Sequence, residues 1–135
     1  QVSILSYDAA AGSFELIATL PTIPEDYKDH NGAAAIRLSS DQRFLYVSNR
    51  GFNSLTVFAV SPDGRNLSQL QQISTAGDFP RDFNFDLTER YVLAVNQNTS
   101  NGTLYSRDSK TGLLTEEQRD IPTPEAVNVL FLATK

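Results

Sequence analysis

An all-β fold is what the sequence predicts, and two observations carry the prediction. Apolar and polar residues alternate with period two in FLYVSN (Phe44 to Asn49) and YVLAVN (Tyr91 to Asn96), which suits strands and not helices of period 3.6. The chain also repeats itself. FLYVSNRGFNSLTVF (Phe44 to Phe58) aligns without a gap on YVLAVNQNTSNGTLY (Tyr91 to Tyr105), a shift of 47 residues, the separation of Asn49 from Asn96. A period in the high forties that holds four strands is the spacing of a β-propeller blade.

The elements follow in order. SILSYDAAAGSFELIATL supplies two strands and matches only the back half of a repeat, with Tyr7 where Phe58 and Tyr105 fall and Gly12 where Gly64 and Gly112 fall. The first full unit predicts strands at Ala34–Leu38, Phe44–Asn49, Leu55–Val60 and Leu67–Ile73. The second predicts them at Asp82–Phe85, Tyr91–Asn96, Thr103–Arg107 and Leu114–Ile121. Turn chemistry separates them: Ser-Ser-Asp, Asn-Arg-Gly, Pro-Asp-Gly and Thr-Gly. AVNVLFLAT (Ala126 to Thr134) reads as a lone first strand. The expected units are therefore 1–29 (the second half of a blade), 30–75 (a blade), 76–123 (a blade) and 124–135 (a closing strand).

That makes about three blades, where closure takes about four to eight. The expectation is a fragment of a larger chain, whose remainder, or another copy, covers the cut edges. The absence of Met fits a piece without its native start.

Composition narrows the function classes. A 40% hydrophobic fraction and 20% charged residues suit a folded soluble domain. A net charge of −5 argues against a nucleic-acid face, and no apolar run approaches the roughly 20 residues of a membrane span. QVSILSYDAAAG lacks the basic start and apolar stretch of a signal peptide. Zero Cys removes disulfides, thiolate nucleophiles and Cys-based zinc sites, and fits a cytoplasmic location. Neither a metal nor a cofactor is expected. The Asn-x-Ser/Thr matches at Asn66, Asn98 and Asn101 arise readily by chance in a chain this rich in Asn, Ser and Thr.

Strand ends alternate in an antiparallel blade, so the corners between second and third strands share a face with the linkers entering first strands. That face holds Asn49-Arg50-Gly51, Asn96-Gln97-Asn98, and the linkers Asp26 to Ala34 and Thr75 to Phe83. Its candidates for chemistry are Arg50, Arg81, Asn96, Gln97 and the single histidine, His30. Arg81 stands at the mouth of a first strand, beside the expected central channel.

The same residues carry a resemblance. FLYVSNRGFNSLTVF, then GDFPRDFNFD, then NQNTSNGTLY followed by KTGLL resembles the C-terminal blades of the seven-bladed propeller lactonases, which include the bacterial 6-phosphogluconolactonases and the fungal carboxymuconate cyclases. The similarity runs from about Ala33 to Leu132 and is densest at VSNRG and GDFPRDF. It implies a soluble, metal-independent enzyme that opens the ester of a phosphorylated six-carbon sugar lactone, as 6-phosphogluconolactonase does in the pentose phosphate pathway. Transferred by motif, SNRG marks Asn49 and Arg50, FPRDF marks Arg81 and Asp82, and NQ marks Asn96 and Gln97.

Three departures stand out. Arg37 occupies a first strand that carries histidine in many relatives, Asp41-Gln42 and Thr88-Glu89 replace short Asp-Gly turns, and PEAVNV is an altered closing motif. The acid and base candidates of related enzymes lie in earlier blades, outside this chain.

Lactone hydrolysis needs an activated water and donors aimed at the carbonyl oxygen as it gains charge. Arginine meets the further need for a planar, permanent cation. Arg50, Arg81 and His30 are accordingly the catalytic candidates, with Asn49, Asn96, Gln97 and Asp82 as substrate-binding candidates. Each has a structural alternative. The arginines would pair with Asp78 or Asp82, the asparagines would cap their corners, and His30 would be a surface residue. Two other functions stay open, a carboxymuconate-type cyclase and a non-catalytic binding platform.

Overall fold

The computed structural model describes residues 1–134, and all of its regular structure is strand. In chain order the strands are β1 (Val2–Asp8), β2 (Ser13–Leu20), β3 (Gly32–Leu38), β4 (Phe44–Arg50), β5 (Ser54–Val60), β6 (Leu67–Ser74), β7 (Pro80–Phe85), β8 (Tyr91–Asn96), β9 (Asn101–Arg107) and β10 (Leu114–Pro122). They form a hairpin, β1-β2, and two four-stranded antiparallel meanders, β3-β4-β5-β6 and β7-β8-β9-β10. The all-β class and the four-stranded antiparallel sheets are as the sequence predicts.

The turns without glycine work through their side chains. Gln42 (φ 60°) and Glu89 (φ 55°) occupy the left-handed position that glycine fills in an Asp-Gly turn. Asp41 holds the first turn by accepting from the Ser39 hydroxyl and the Arg43 backbone N–H, and Asp86 accepts from Thr88 and Tyr91 in the second.

Period-two alternation gives the β3–β6 sheet two apolar faces. Tyr46, Leu55 and Val57 pack against Phe83, Val92, Ala94, Tyr105 and Leu114 of the following sheet. Val47 and Phe58 pack against Val2 and Leu20 of the hairpin. Polar contacts close the larger core, where the Tyr46 hydroxyl donates to the Gly112 carbonyl at 2.6 Å and accepts from Arg107 Nε at 2.8 Å. The hairpin leaves its other face bare. Leu5 opposite Leu16 and Tyr7 opposite Phe14 are all exposed, although Phe58 and Tyr105, which match Tyr7 in the repeat, are fully buried.

One expected element is absent. Residues 126–134 form no strand, because a strand needs a ladder partner and none of the described strands pairs its backbone with this segment. The segment is anchored to β7 instead. The Val129 backbone N–H donates to Asp82 Oδ2 at 2.9 Å, and Asn84 Nδ2 donates to the Val129 carbonyl at 3.0 Å.

Candidate functional site

The corners β4–β5 and β8–β9 do share an end with the linkers into β3 and β7, since Gly32 lies opposite Arg50 and Pro80 opposite Asn96. This end carries the corners and linkers that hold the candidates Arg50, Arg81, His30, Asn49, Asn96, Gln97 and Asp82. The structure divides them into two groups.

Asn49 and Asn96 are fully buried, and their side-chain amides make matching bonds. Asn49 Nδ2 donates to the Thr22 carbonyl, Ser54 Oγ and Thr56 Oγ1 at 3.0–3.1 Å. Asn96 Nδ2 donates to the Thr75 carbonyl at 2.8 Å and to Asn101 Oδ1 at 3.3 Å, and Thr103 takes the role of Thr56. Each asparagine thus ties its corner to the chain leaving the preceding sheet.

Asp82 is also turned inward. It is buried, accepts from Arg37 Nη2 at 2.9 Å, and takes both Asn128 Nδ2 and the Val129 backbone N–H on Oδ2. Three donors, one of them a cation, engage both carboxylate oxygens and fix the carboxylate between strands. Asp82 joins β3, β7 and the tail. Arg37, which the sequence marked only as a departure, is its partner.

The arginines differ. Arg81 is exposed, and the ladder register shifts between Pro80 and Asp82, so Arg81 sits on a β-bulge. A bulge bends the strand and re-aims its side chain, and bulges recur beside active sites. The matching first-strand irregularity in the β3–β4 pair falls between Ala33 and Ile36, where the repeat puts Ala34 in place of Arg81. The cation is therefore specific to one blade.

Arg50 closes β4 half-buried. Its Nε and Nη2 approach the Gly32 and Ala33 carbonyls at 3.4 Å, and its guanidinium lies 5.1 Å from the centre of the Phe79 ring. Among the described residues neither Arg50 nor Arg81 pairs with a carboxylate. The alternative pairing with Asp78 or Asp82 does not occur, because Asp82 is held by Arg37 and Asp78 by amides.

Asp78 clamps the end together. It accepts from Asn53 Nδ2 at 2.8 Å and Asn98 Nδ2 at 2.7 Å, which lie on the two successive corners. These bonds, Asn98 first and Asn53 second, hold its carboxyl below the usual range despite some desolvation. Gln97 is half-buried, and its backbone N–H donates to the Phe79 carbonyl at 3.0 Å.

His30 is exposed, and its backbone is what the fold uses. Gly51 has φ 112°, and a Cβ there would run into the His30 carbonyl oxygen. The His30 segment thereby packs on the corner that carries Arg50. Among the described residues no group of three or more His, Asp or Glu side chains is arranged to hold a metal ion. Among the described residues no helix is long and apolar enough to cross a membrane.

The arrangement offers two guanidinium groups on adjoining blades with donors unspent on carboxylates, suited to an anionic or carbonyl-bearing ligand. Known proteins share the fold. The family described as Lactonase, 7-bladed beta-propeller matches residues 1–131. The 6-phosphogluconolactonase of Bacillus subtilis is 40% identical over 132 residues, covering 98% of this chain and 38% of that protein. A crystal structure of a Lactobacillus plantarum protein shares 58% identity at a TM-score of 0.90, over 93% of this chain and 36% of that one. The periplasmic gluconolactonase of Pseudomonas aeruginosa follows at 31% identity and a TM-score of 0.84, over 92% and 35%. The chain spans 38% of the length of the curated relatives it matches. With its four-stranded blades and its match along nearly the whole sequence, the chain belongs to the seven-bladed β-propeller lactonase family.

Proposed function

We propose that the full-length protein hydrolyses a sugar lactone, with Arg50 and Arg81 as fixed cations of its site. The observation that carries the reading is Arg81: exposed, lifted out by a bulge, on a first strand, and without a carboxylate partner among the described residues. Water adds to the lactone carbonyl carbon and charge gathers on the carbonyl oxygen. The ring C–O bond then breaks to leave a carboxylate and an alcohol. A guanidinium directed at the developing oxyanion lowers that barrier, and removal of one such donor typically costs about 3 kcal/mol. The second guanidinium holds a substrate anion.

The general base belongs to a blade outside this chain. Within it, Asp82 is buried and bonded to Arg37 and the tail, and no side-chain hydrogen bond orients His30 among the described residues. We assign the substrate as a phosphorylated gluconolactone, and so a place in the pentose phosphate pathway. Support comes from the B. subtilis relative's name and from two unpaired cations where one would serve an uncharged lactone. The bare Leu5, Tyr7, Phe14 and Leu16 are covered by another blade of the ring, as Phe58 and Tyr105 are covered here. A cytoplasmic location fits the cysteine-free composition, and cell fractionation decides between it and the periplasm of the P. aeruginosa relative.

The test is ring opening by the full-length protein, followed as acid release from 6-phosphogluconolactone and from gluconolactone. Hydrolysis above the buffer rate is expected, with kcat/KM favouring the phosphorylated lactone by about tenfold or more. Equal values would remove the phosphate from the account. Rates no faster than buffer with both, alongside turnover of a muconolactone, would replace hydrolysis by the cyclase reaction.

A further inference from the structure

The Arg50–Phe79 pair occurs once in a chain that otherwise repeats. Shifted by one repeat, Arg50 becomes Gln97 and Phe79 becomes Ala126; shifted back, Phe79 becomes Gly32. Structural demands that act on every blade therefore do not account for either residue. The two depart from the repeat together, and they touch, with the guanidinium carbon 5.1 Å from the ring centroid.

Phe79 also holds a backbone conformation that it does not favour. Its φ is 67°, in the left-handed region, and it precedes Pro80, which restricts it further. Surrounding bonds impose that conformation. The Phe79 N–H donates to Asn53 Oδ1 at 3.0 Å, its carbonyl accepts from the Gln97 N–H at 3.0 Å, and Asp78 before it is fastened to both corners. Glycine would suit the torsion better, yet an aromatic ring is kept. Strain retained where the neighbours over-determine it points to a role for the side chain so presented.

The guanidinium meanwhile has two close neighbours, the Gly32 backbone, where an added Cβ would stand 3.1 Å from Nη2, and the Phe79 ring. The two carbonyl contacts on Arg50 are long, at 3.4 Å, so they fix its direction weakly. The ring restricts the plane of the guanidinium while leaving its Nη1 donors unspent.

We propose that Phe79 is the positioning residue for Arg50, a strained platform on the next blade's linker that orients the guanidinium for the bound anion. This rests on the lactonase site proposed above. It also makes the cation depend on the junction of two blades, so Arg50 is set only when both are packed.

Kinetics of full-length variants test it. Phe79→Ala should lower kcat/KM by about tenfold or more, and Phe79→Tyr, which keeps the stack, should restore it to within about threefold of the starting protein. The Arg50→Ala/Phe79→Ala double variant should be no slower than Arg50→Ala alone, because the platform acts only through the arginine. Phe79→Leu keeps the volume without the π face, and should behave like Phe79→Ala while unfolding cooperatively. Full activity in Phe79→Ala, or losses that multiply in the double variant, would overturn the proposal while leaving Arg50 in the site. Full activity in Arg50→Ala would instead overturn the site reading itself, and this proposal with it.

Discussion

Asp82 accepts a hydrogen bond from Arg37 at 2.9 Å, and this bond ties the first strand of one sheet to the first strand of the next. The same carboxylate then reaches onward to Asn128 and Val129, so three successive segments at the channel edge share one charge. Asn84, which matches Arg37 in the repeat, makes the corresponding reach to the Val129 carbonyl. Side-chain bonds thus run from blade to blade along the edge where ladder bonds do not.

Removing that carboxylate strands a partly buried cation and a buried N–H. Asp82→Ala in the full-length protein is expected to lose about 2–3 kcal/mol, below the range for a fully buried pair because the Arg37 side chain is 33% exposed. Denaturant unfolding measures it, and a midpoint unchanged from the starting protein would show that the junction does not depend on this charge.

The buried asparagines make a prediction of the opposite kind. Asn49→Ala should destabilise by about 1–3 kcal/mol, since the Thr22 carbonyl and two hydroxyls lose a buried donor. Turnover per folded molecule should stay the same. A loss of kcat/KM with stability intact would return Asn49 to the site.

Arg107 has a side chain only 3% exposed and is ringed by Phe44, Tyr46 and Phe85 at 5.7–5.8 Å. Its Nε bond ends on the Tyr46 hydroxyl, which bridges onward to Gly112. Tyr46→Phe removes both bonds from the core and should cost about 1–3 kcal/mol. Thermal unfolding of the full-length variant reports it as a lower Tm, and an unchanged Tm would mean that the aromatic packing alone holds this junction.

The Asp78 clamp implies a pH dependence. Its carboxyl is depressed in the folded protein by Asn98 and Asn53, so the unfolded chain binds its proton first as pH falls. The contribution is complete above the ordinary carboxylate pKa of about 3.9 and is lost as pH drops through the lower folded value. Stability measured from pH 6 downward should therefore fall less steeply in Asp78→Asn, which keeps a carbonyl acceptor. Identical slopes would show that Asp78 carries no such linkage.

The fold was legible because its repeat is written in side chains that pack. Val47 over Ala94 and Phe58 over Tyr105 recur because each blade buries the same positions. The lone closing strand was not legible, since AVNVLFLAT has a strand's pattern but ladder formation depends on a neighbour that local sequence does not reveal. In the site, the motifs SNRG and NQ marked Asn49 and Asn96 for substrate, with corner capping as the alternative, and the bonds they make to Thr22 and Thr75 lie 27 and 21 residues away in sequence. The partnership of Arg37 with Asp82 spans 45 residues, and nothing local announces it. The repeat did hold a usable signal in its exceptions: Arg50 against Gln97, Arg81 against Ala34, and Phe79 against Gly32.

The most direct measurement is kcat/KM for 6-phosphogluconolactone in full-length Arg81→Ala, beside the unaltered protein, with cooperative unfolding as the control. The account predicts a loss of about tenfold or more at unchanged stability, since the Arg81 side chain is exposed and makes no hydrogen bond or ion pair among the described residues. Turnover equal to the unaltered protein would contradict the assignment of this cation to the site.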